Sequence, residues 1–461
     1  MADTIAAIAT GGAVSAIGIV RISGDGAIAA AGQVFRATNG MKLADAENRR
    51  MYYGELLGAE GGLVDLCLCT ISRGPDSYTG EDTVEFHCHG SPVVLSEALR
   101  ALFRHGVRHA GAGEFTKRAF LNGRMDLTQA EAVIDLIESE TAVAAQNAAC
   151  QLRGALGERL APVYSALVGV MAHFHAVIDY PDEDIDEFKP QDYLPALHEA
   201  EDELAQIQST FERGGVLRGG IPVAITGRPN TGKSSLLNAL LGYERAIVTE
   251  ISGTTRDTIE EKALVGGVLL RLTDTAGLRK THDSVESQGV SRALAALQGA
   301  GLAILVLDGS EPLRDEDFYA LRSIPPGVPI IAAVNKSDLP SVLGQDELSA
   351  LGIGAGSVGM CRISALTGEG LDTLDVKIRE MFPELSAQPS GGIITNARQA
   401  EALSRAGESV GSAIAAIGAS FTPDVVITDI EDALAAIGEV TGKTMREDVV
   451  SKIFERFCVG K

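Results

Sequence analysis

Gly227-Arg228-Pro229-Asn230-Thr231-Gly232-Lys233-Ser234 constrains this chain more than any other stretch, because it fits G-x-x-x-x-G-K-[ST]. It follows an apolar β-like run at 221–226 and precedes Leu236, Leu237 and Leu240 at helical spacing. A strand feeding a glycine loop and then a helix is a unit of a parallel α/β sheet, since parallel strands need a crossover and the helix supplies it. The glycines let backbone N–H groups close on a phosphate, and the helix N-terminus adds positive potential. Lys233 then reaches the β- and γ-oxygens of a nucleoside triphosphate, and the Ser234 hydroxyl can ligate Mg²⁺. A strand–helix turn that holds no ligand is the plain alternative, and both flanks argue against it.

The loop does not choose the base. Asn335-Lys336-Ser337-Asp338, placed after the apolar run 330–334, does. A carboxylate at Asp338 accepts from guanine N1–H and from the exocyclic N2 amine. Adenine offers neither donor and leaves the acid unpaired, a rejection worth a factor of about 10⁴. Ser364-Ala365-Leu366 fits a loop behind the guanine. Two polar segments have the makeup of switch loops, ordered by triphosphate and released on hydrolysis. In Asp274-Thr275-Ala276-Gly277, after the run 269–273, Asp274 is expected to hold Mg²⁺ through water and the Gly277 amide to meet the γ-phosphate. In Gly253-Thr254-Thr255-Arg256-Asp257, Thr255 is the second expected Mg²⁺ ligand. Nucleotide contacts are thus expected along 230–235, including Ser235, and along Thr249-Glu250-Ile251-Ser252 into that second segment.

Hydrolysis needs the transition-state charge to be met. Leu278 follows the Asp274 motif, where many small GTPases carry a water-orienting glutamine, and leucine cannot orient water. Arg256 and Arg279 lie nearby and read as surface salt-bridge partners rather than arginine fingers. A monovalent cation held by Asn230 and switch-loop oxygens could do an arginine's work. Glu286 could orient water through a bridging water, although a lone glutamate on a helix is ordinarily solvated.

The rest of the chain is long enough for about three domains. Residues 1–118 read as mixed α/β, with β-like runs at 17–22, 64–71 and 83–89 and a helix after Ser91-Pro92. Residues 119–216 carry apolar positions at spacings of three and four, as in Leu152, Leu156, Leu160, Tyr164, Leu167 and Met171, the pattern of bundle helices. Residues 217–384 alternate strand and helix in the parallel, doubly wound manner. Residues 385–461 return to helix, with Ile427, Ile430, Leu434, Ile437, then Val449, Ile453 and Phe457. The simplest architecture is an α/β domain inserted between two halves of one helical domain. Tyr180-Pro181-Asp182-Glu183-Asp184 reads as a solvated inter-helix loop.

Charge and composition narrow the function. The net charge of −23 disfavours coating nucleic acid or anionic membrane through bulk charge. Tryptophan is absent and only 5% of residues are aromatic, which disfavours stacking platforms for single strands. Six cysteines in 461 residues read as reduced thiols of a cytoplasmic protein. No secretory leader and no apolar run of membrane-spanning length is expected. In His87-Cys88-His89, strand alternation puts Cys88 on the core face with Val84 and Phe86, and a metal reading lacks two further ligands. Cys458 sits near the chain end and the cationic Lys461, so a role in the chemistry is one reading; an apolar C-terminal anchor is the other.

Taken together, these residues resemble the bacterial tRNA modification GTPases of the MnmE (TrmE) family over essentially the whole chain. The specific blocks are Gly18-Ile19-Val20-Arg21-Ile22-Ser23-Gly24, Ser77-Tyr78-Thr79-Gly80-Glu81-Asp82, Val84-Glu85-Phe86-His87-Cys88-His89-Gly90, the run from Gly113-Glu114-Phe115-Thr116-Lys117 to Gly123, and the terminal Cys458-Val459-Gly460-Lys461. The segment Thr10–Ala16 departs by lacking the Pro/Arg-rich stretch of some relatives. The resemblance implies an N-terminal α/β folate-binding domain, a split helical bundle and an inserted Ras-like P-loop GTPase domain. It implies a homodimer built through the N-terminal domain, with Arg21, Glu81, Lys117 and Lys461 around a 5-formyltetrahydrofolate or related one-carbon folate. It implies potassium at Asn230, Thr249, Ile251 and Thr254, and a catalytic role for Glu286 beside Lys233 and Thr255, with Cys458 a candidate in the modification chemistry. It also implies tRNA as substrate, with an FAD-dependent partner of the MnmG (GidA) type in a heterotetramer or larger assembly. No G-x-G-x-x-G dinucleotide motif occurs here, in keeping with FAD on the partner. Two other readings stand beside this one: a regulatory RNA-binding GTPase switch such as a ribosome-assembly factor, and a folate-binding scaffold with a vestigial GTPase. The switch predicts a basic RNA-binding module, and the scaffold predicts a decayed motif set.

Overall fold

The computed structural model describes residues 3–180, 186–243, 260–273, 296–351, 358–386, 392–455 and 457–460. Among these, the first sheet has seven strands: β1 (Ile5–Ile8), β2 (Ser15–Ser23), β3 (Phe35–Ala37), β4 (Met51–Leu57), β5 (Leu63–Ser72), β6 (Thr83–Gly90) and β7 (Arg108–His109). Their order is β3-β4-β5-β6-β2-β1-β7, antiparallel except for the β1–β7 pair. Strand alternation sorts the side chains. Val84, Phe86 and Cys88 are buried, while Glu85, His87 and His89 take the other face. Helices Ala27–Val34 and Pro92–Arg104 cover the buried face, the second offering Leu95, Ala98, Leu99 and Leu102. The anticipated runs fall in β2, β5 and β6. β1 has two alanines at its centre and little propensity of its own; pairing with both β2 and β7 sets it. The Thr10–Ala16 segment turns back between β1 and β2, with the Ile19 amide donating to Thr10 Oγ1 at 3.1 Å.

Two units emerge from the packing, Met1–Ile134 with Gln151–Glu201 and Arg405–Lys461, and Asp135–Cys150 with Asp202–Ser404. In the first unit, helix Pro423–Thr441 packs on helix Ala155–Asp179, so a late segment does complete an early one. The latter helix corrects the expectation about apolar runs: its 25 residues are long and apolar enough, by length and composition, to cross a membrane. Pro162, Gly169 and two histidines break the run to the eye without adding charge. A second correction concerns Phe457. Its helix ends at Phe454, and Gly113, with φ 61°, leaves room for Phe457 to fold in beside it. Phe457 stays buried against Phe454, with ring centroids 4.8 Å apart. The chain then runs on so that the Gly113 amide donates to Cys458 O at 3.2 Å and Ala112 bridges Val459.

The second unit holds a sheet of six described strands: β8 (Ile221–Thr226), β9 (Glu260–Val265), β10 (Val268–Thr273), β11 (Leu302–Asp308), β12 (Ile330–Asn335) and β13 (Val358–Arg362), in the order β13-β12-β11-β8-β10-β9. Five are parallel neighbours, and β9 is not. It pairs antiparallel with β10 across Gly266-Gly267, both at positive φ (62° and 78°), a tight hairpin turn that the all-parallel expectation missed. β11 is buried along its whole length, as a central parallel strand covered on both faces must be.

Candidate functional site

In the second unit, the carboxyl ends of β8, β11 and β12 lie side by side, which is where open α/β sheets bind ligands. β8 ends at Thr226, and the phosphate loop leads into helix Lys233–Tyr243, which carries Leu236, Leu237 and Leu240. Gly227 and Gly232 have φ of 144° and 96°. A Cβ at Gly227 would stand 2.4 Å from Val306 O, and one at Gly232 would stand 2.2 Å from Asn335 Nδ2. Both positions therefore require glycine. Asn230 between them takes φ 65°, a conformation asparagine tolerates better than most. Thr231 is buried and donates its hydroxyl to Arg228 O at 3.1 Å. Lys233 Nζ donates to Gly227 O at 2.8 Å and Arg228 O at 2.7 Å. Burial, then the charge of Arg228, lowers the Lys233 pKa from its ordinary value. Ser234 and Ser235 open the helix beside it.

The base-reading residues come together as a set. Asn335 is buried and donates Nδ2 to Thr231 O at 2.8 Å, while its Oδ1 accepts from the Ala365 amide at 2.9 Å. One carboxamide thus ties the phosphate loop to the loop behind the base. Lys336 takes φ 67°, and the Ser337 amide donates to Ile363 O at 3.0 Å. Asp338 is exposed, with Oδ1 held by Ser364 Oγ at 2.5 Å. Leu366 is 85% exposed at the rim of this loop. Thr249, Glu250, Ile251, Ser252, Gly253, Thr254, Thr255, Asp274, Thr275, Ala276, Gly277 and Glu286 lie outside the described residues.

The first unit assembles a second polar cluster. Arg21 on β2 pairs through Nε with Glu85 Oε1 at 2.8 Å, and its guanidinium lies 5.4 Å from the Tyr78 ring centroid and 5.7 Å from that of Phe115. Burial alone would raise the Glu85 pKa; the charge and hydrogen bond of Arg21 outweigh it and lower the value. Ser23, on the same face of β2, donates to Glu81 Oε2 at 2.8 Å. Arg118 was not anticipated and proves central: it reaches Glu81 at 3.0 Å, Glu114 at 3.0 Å and Asp3 at 2.7 Å. The signal was a second cation beside Lys117 on one short helix, Glu114–Leu121. Lys117 turns to Ser451 Oγ at 2.9 Å. Arg21 and Glu81 therefore both meet the helix Glu114–Leu121, Arg21 over the Phe115 ring and Glu81 through Arg118; Lys117 engages the helix Glu447–Phe454, and Lys461 lies outside the described residues. Cys458 is an exposed free thiol, and the other cysteines are also free.

Comparison with known proteins finds relatives along essentially the whole chain. A model described as the GTP-binding protein TrmE N-terminus matches residues 4–124, and one described as the MnmE helical domain matches residues 127–458. A tRNA modification GTPase MnmE of Alkaliphilus metalliredigens (strain QYMF) is 42% identical over 461 residues, covering 100% of this chain and 99% of that one. Another of the same description from Clostridioides difficile (strain 630) is 39% identical over 460 residues, with 100% and 99% covered. A third, from Heliobacterium modesticaldum (strain ATCC 51547 / Ice1), is 42% identical over 466 residues, again with 100% and 99% covered. Identity at this level from end to end, with both family models matched, means that the chain belongs to the MnmE family of tRNA modification GTPases.

Proposed function

We propose that this chain hydrolyses GTP to drive tRNA modification and that, with an FAD-dependent partner, it adds a carboxymethylaminomethyl or aminomethyl group at C5 of the wobble uridine of certain tRNAs. The observation that carries the nucleotide half is Asn335, whose one side chain joins the phosphate loop to the base loop. Asp338, aimed by Ser364, accepts the two donors on the guanine edge. Lys233 sits on carbonyls of its own loop and has the charge and length to move onto β- and γ-oxygens. Ser234, at the helix start, and Thr255 suit Mg²⁺, which when bound neutralises phosphate charge. Asn230, Thr249, Ile251 and Thr254 suit K⁺, and Glu286 orients the attacking water. GTP turnover is expected to rise when potassium replaces sodium; equal rates in the two salts reject the cation site.

In the first unit, the Glu81 carboxylate suits the paired N–H groups of a pterin, and Arg21, Lys117 and Lys461 suit the glutamate tail of a formyl-tetrahydrofolate. The Tyr78 and Phe115 rings beside Arg21 give that patch an apolar wall. The bound folate supplies a one-carbon unit, and the exposed Cys458 thiol is available to the modification chemistry. Tyr53 and Leu68, register partners on β4 and β5, are exposed with Leu66, and such a face suits a second copy in a homodimer. The reading places the enzyme in the cytoplasm with its tRNA. In cells lacking this gene, nucleosides released from tRNA are expected to lose the C5-substituted wobble uridine and to regain it on re-expression. Unchanged nucleosides reject the reading.

A further inference from the structure

The carboxyl end of β11 carries an ion network that joins a residue of the phosphate loop to one of the base-reading segment. Asp308 closes β11 in register with Asn335 on β12. Its side chain is only 2% exposed, and its Oδ2 takes Lys336 Nζ at 2.5 Å. Its Oδ1 takes the Ser310 amide at 3.0 Å and the Ser310 hydroxyl at 2.6 Å. Burial alone would raise the carboxyl pKa; the bonds from Lys336 and Ser310 hold it below the ordinary carboxylate value. On its other side stands Arg228, with Nη2 at 3.8 Å from Asp308 Oδ2. That guanidinium is 8% exposed, bonded to Glu311 at 2.8 Å and 3.3 Å from Asp317. Arg228 belongs to the phosphate loop, where its carbonyl receives both Lys233 Nζ and the Thr231 hydroxyl. Lys336 belongs to the base-reading segment. Asp308 therefore stands between a cation from each of the two loops.

We propose that Asp308 is a positioning residue for the nucleotide site, acting through Lys336 and Arg228 to hold the phosphate loop and the base-reading segment in one mutual arrangement. The proposal rests on the guanine-nucleotide reading. Asn335 makes the neutral tie between the loops, from Thr231 O to the Ala365 amide. Asp308 makes the charged one. Charge-assisted hydrogen bonds to a buried carboxylate are the stronger kind, and its loss frees the Lys336 ammonium, itself 33% exposed, to turn away toward water. Without the carboxylate, Arg228 keeps Glu311 and Asp317, but Lys336 loses its ion pair with Asp308. A nucleotide that spans both loops then rests on a looser frame.

The test uses the full chain loaded with a fluorescent methylanthraniloyl GDP and chased with unlabelled GDP. Asp308→Asn is expected to release the nucleotide about tenfold faster than the native protein. Ser310→Ala removes one donor to the same carboxylate and is expected to speed release by about two- to threefold, which keeps the test standing if the first variant does not fold. A merely structural carboxylate is distinguished by a double-mutant cycle with Lys336→Gln. Because the two side chains act together, Asp308→Asn is expected to add less than about twofold in the Lys336→Gln background. Equal factors in the two backgrounds overturn the proposal, as does native-like release in both Asp308→Asn and Ser310→Ala. A native protein that binds no GDP gives a different result: it overturns the guanine-nucleotide reading, and this proposal falls with it.

Discussion

Asp338→Asn is expected to weaken GDP binding by about 10³-fold and to turn the site toward xanthine nucleotides. Guanine presents two donors on one edge, N1–H and the N2 amine, and an ionised carboxylate accepts both. Asparagine keeps one acceptor and sets an NH₂ group against a donor, so a guanine there loses one bond and meets repulsion. Xanthine carries a carbonyl where guanine carries the amine, and the new amide can donate to it. Ser364 Oγ fixes the Asp338 side chain at 2.5 Å and can serve an asparagine oxygen equally well, so the change is confined to the base edge. Asp338 is exposed, so the fold should not suffer. Fluorescent nucleotide titration reads both numbers. A variant that keeps GDP within about tenfold of native affinity contradicts the assignment of Asp338 to the base.

Arg118→Met is expected to destabilise the first unit by about 3–5 kcal/mol, the range seen when one partner leaves a buried ion network. Its guanidinium is 10% exposed and serves Glu81 and Glu114, which are 12% and 18% exposed. Asp3 is 56% exposed and contributes little to the loss, since water can take the place of the guanidinium there. Methionine fills much of the volume, so the loss reports stranded carboxylates rather than a cavity. The same cluster sets a pH window. Burial alone would raise the Glu114 pKa; hydrogen bonds from Arg108, the Gly111 amide and Arg118 outweigh it and bring the value from 4.5 to about 2. A depressed carboxyl pKa stabilises the fold fully above the unfolded value, and that contribution is lost as pH falls through the folded one. Stability from this group is therefore expected to hold down to about pH 4.5 and to fade between there and about pH 2. Urea unfolding of the native and variant chains across that range checks both statements. A variant within about 1 kcal/mol of native at neutral pH contradicts the buried-network account.

The parts of this molecule that were legible in the sequence are those whose chemistry is local. The phosphate loop is eight consecutive residues, and the positive φ at Gly227 and Gly232 follows from their order along the chain. Asn335 ends an apolar strand and Asp338 lies just past it, so their place at its carboxyl end could be read directly. Arg118 and Asp308 were not legible, because what defines them is remote: Arg118 finds Glu81 and Asp3 on other elements, and Asp308 finds Arg228 and Lys336 on two different loops. The β9–β10 hairpin hid for another reason. Gly266-Gly267 signals a turn, but Glu260-Glu261-Lys262 does not announce a strand until β10 is there to pair with it. Phe457 continued a helical spacing that its own chain abandons, since packing beside Gly113 holds it in the core by another route.

The central claim is that Asn335, Asp338 and the phosphate loop form one site built for a guanine nucleotide. Competition of GDP and ADP for the purified native chain tests it most directly. The account predicts that GDP binds at least about 10³-fold more tightly than ADP; equal affinity, or a preference for ADP, contradicts it.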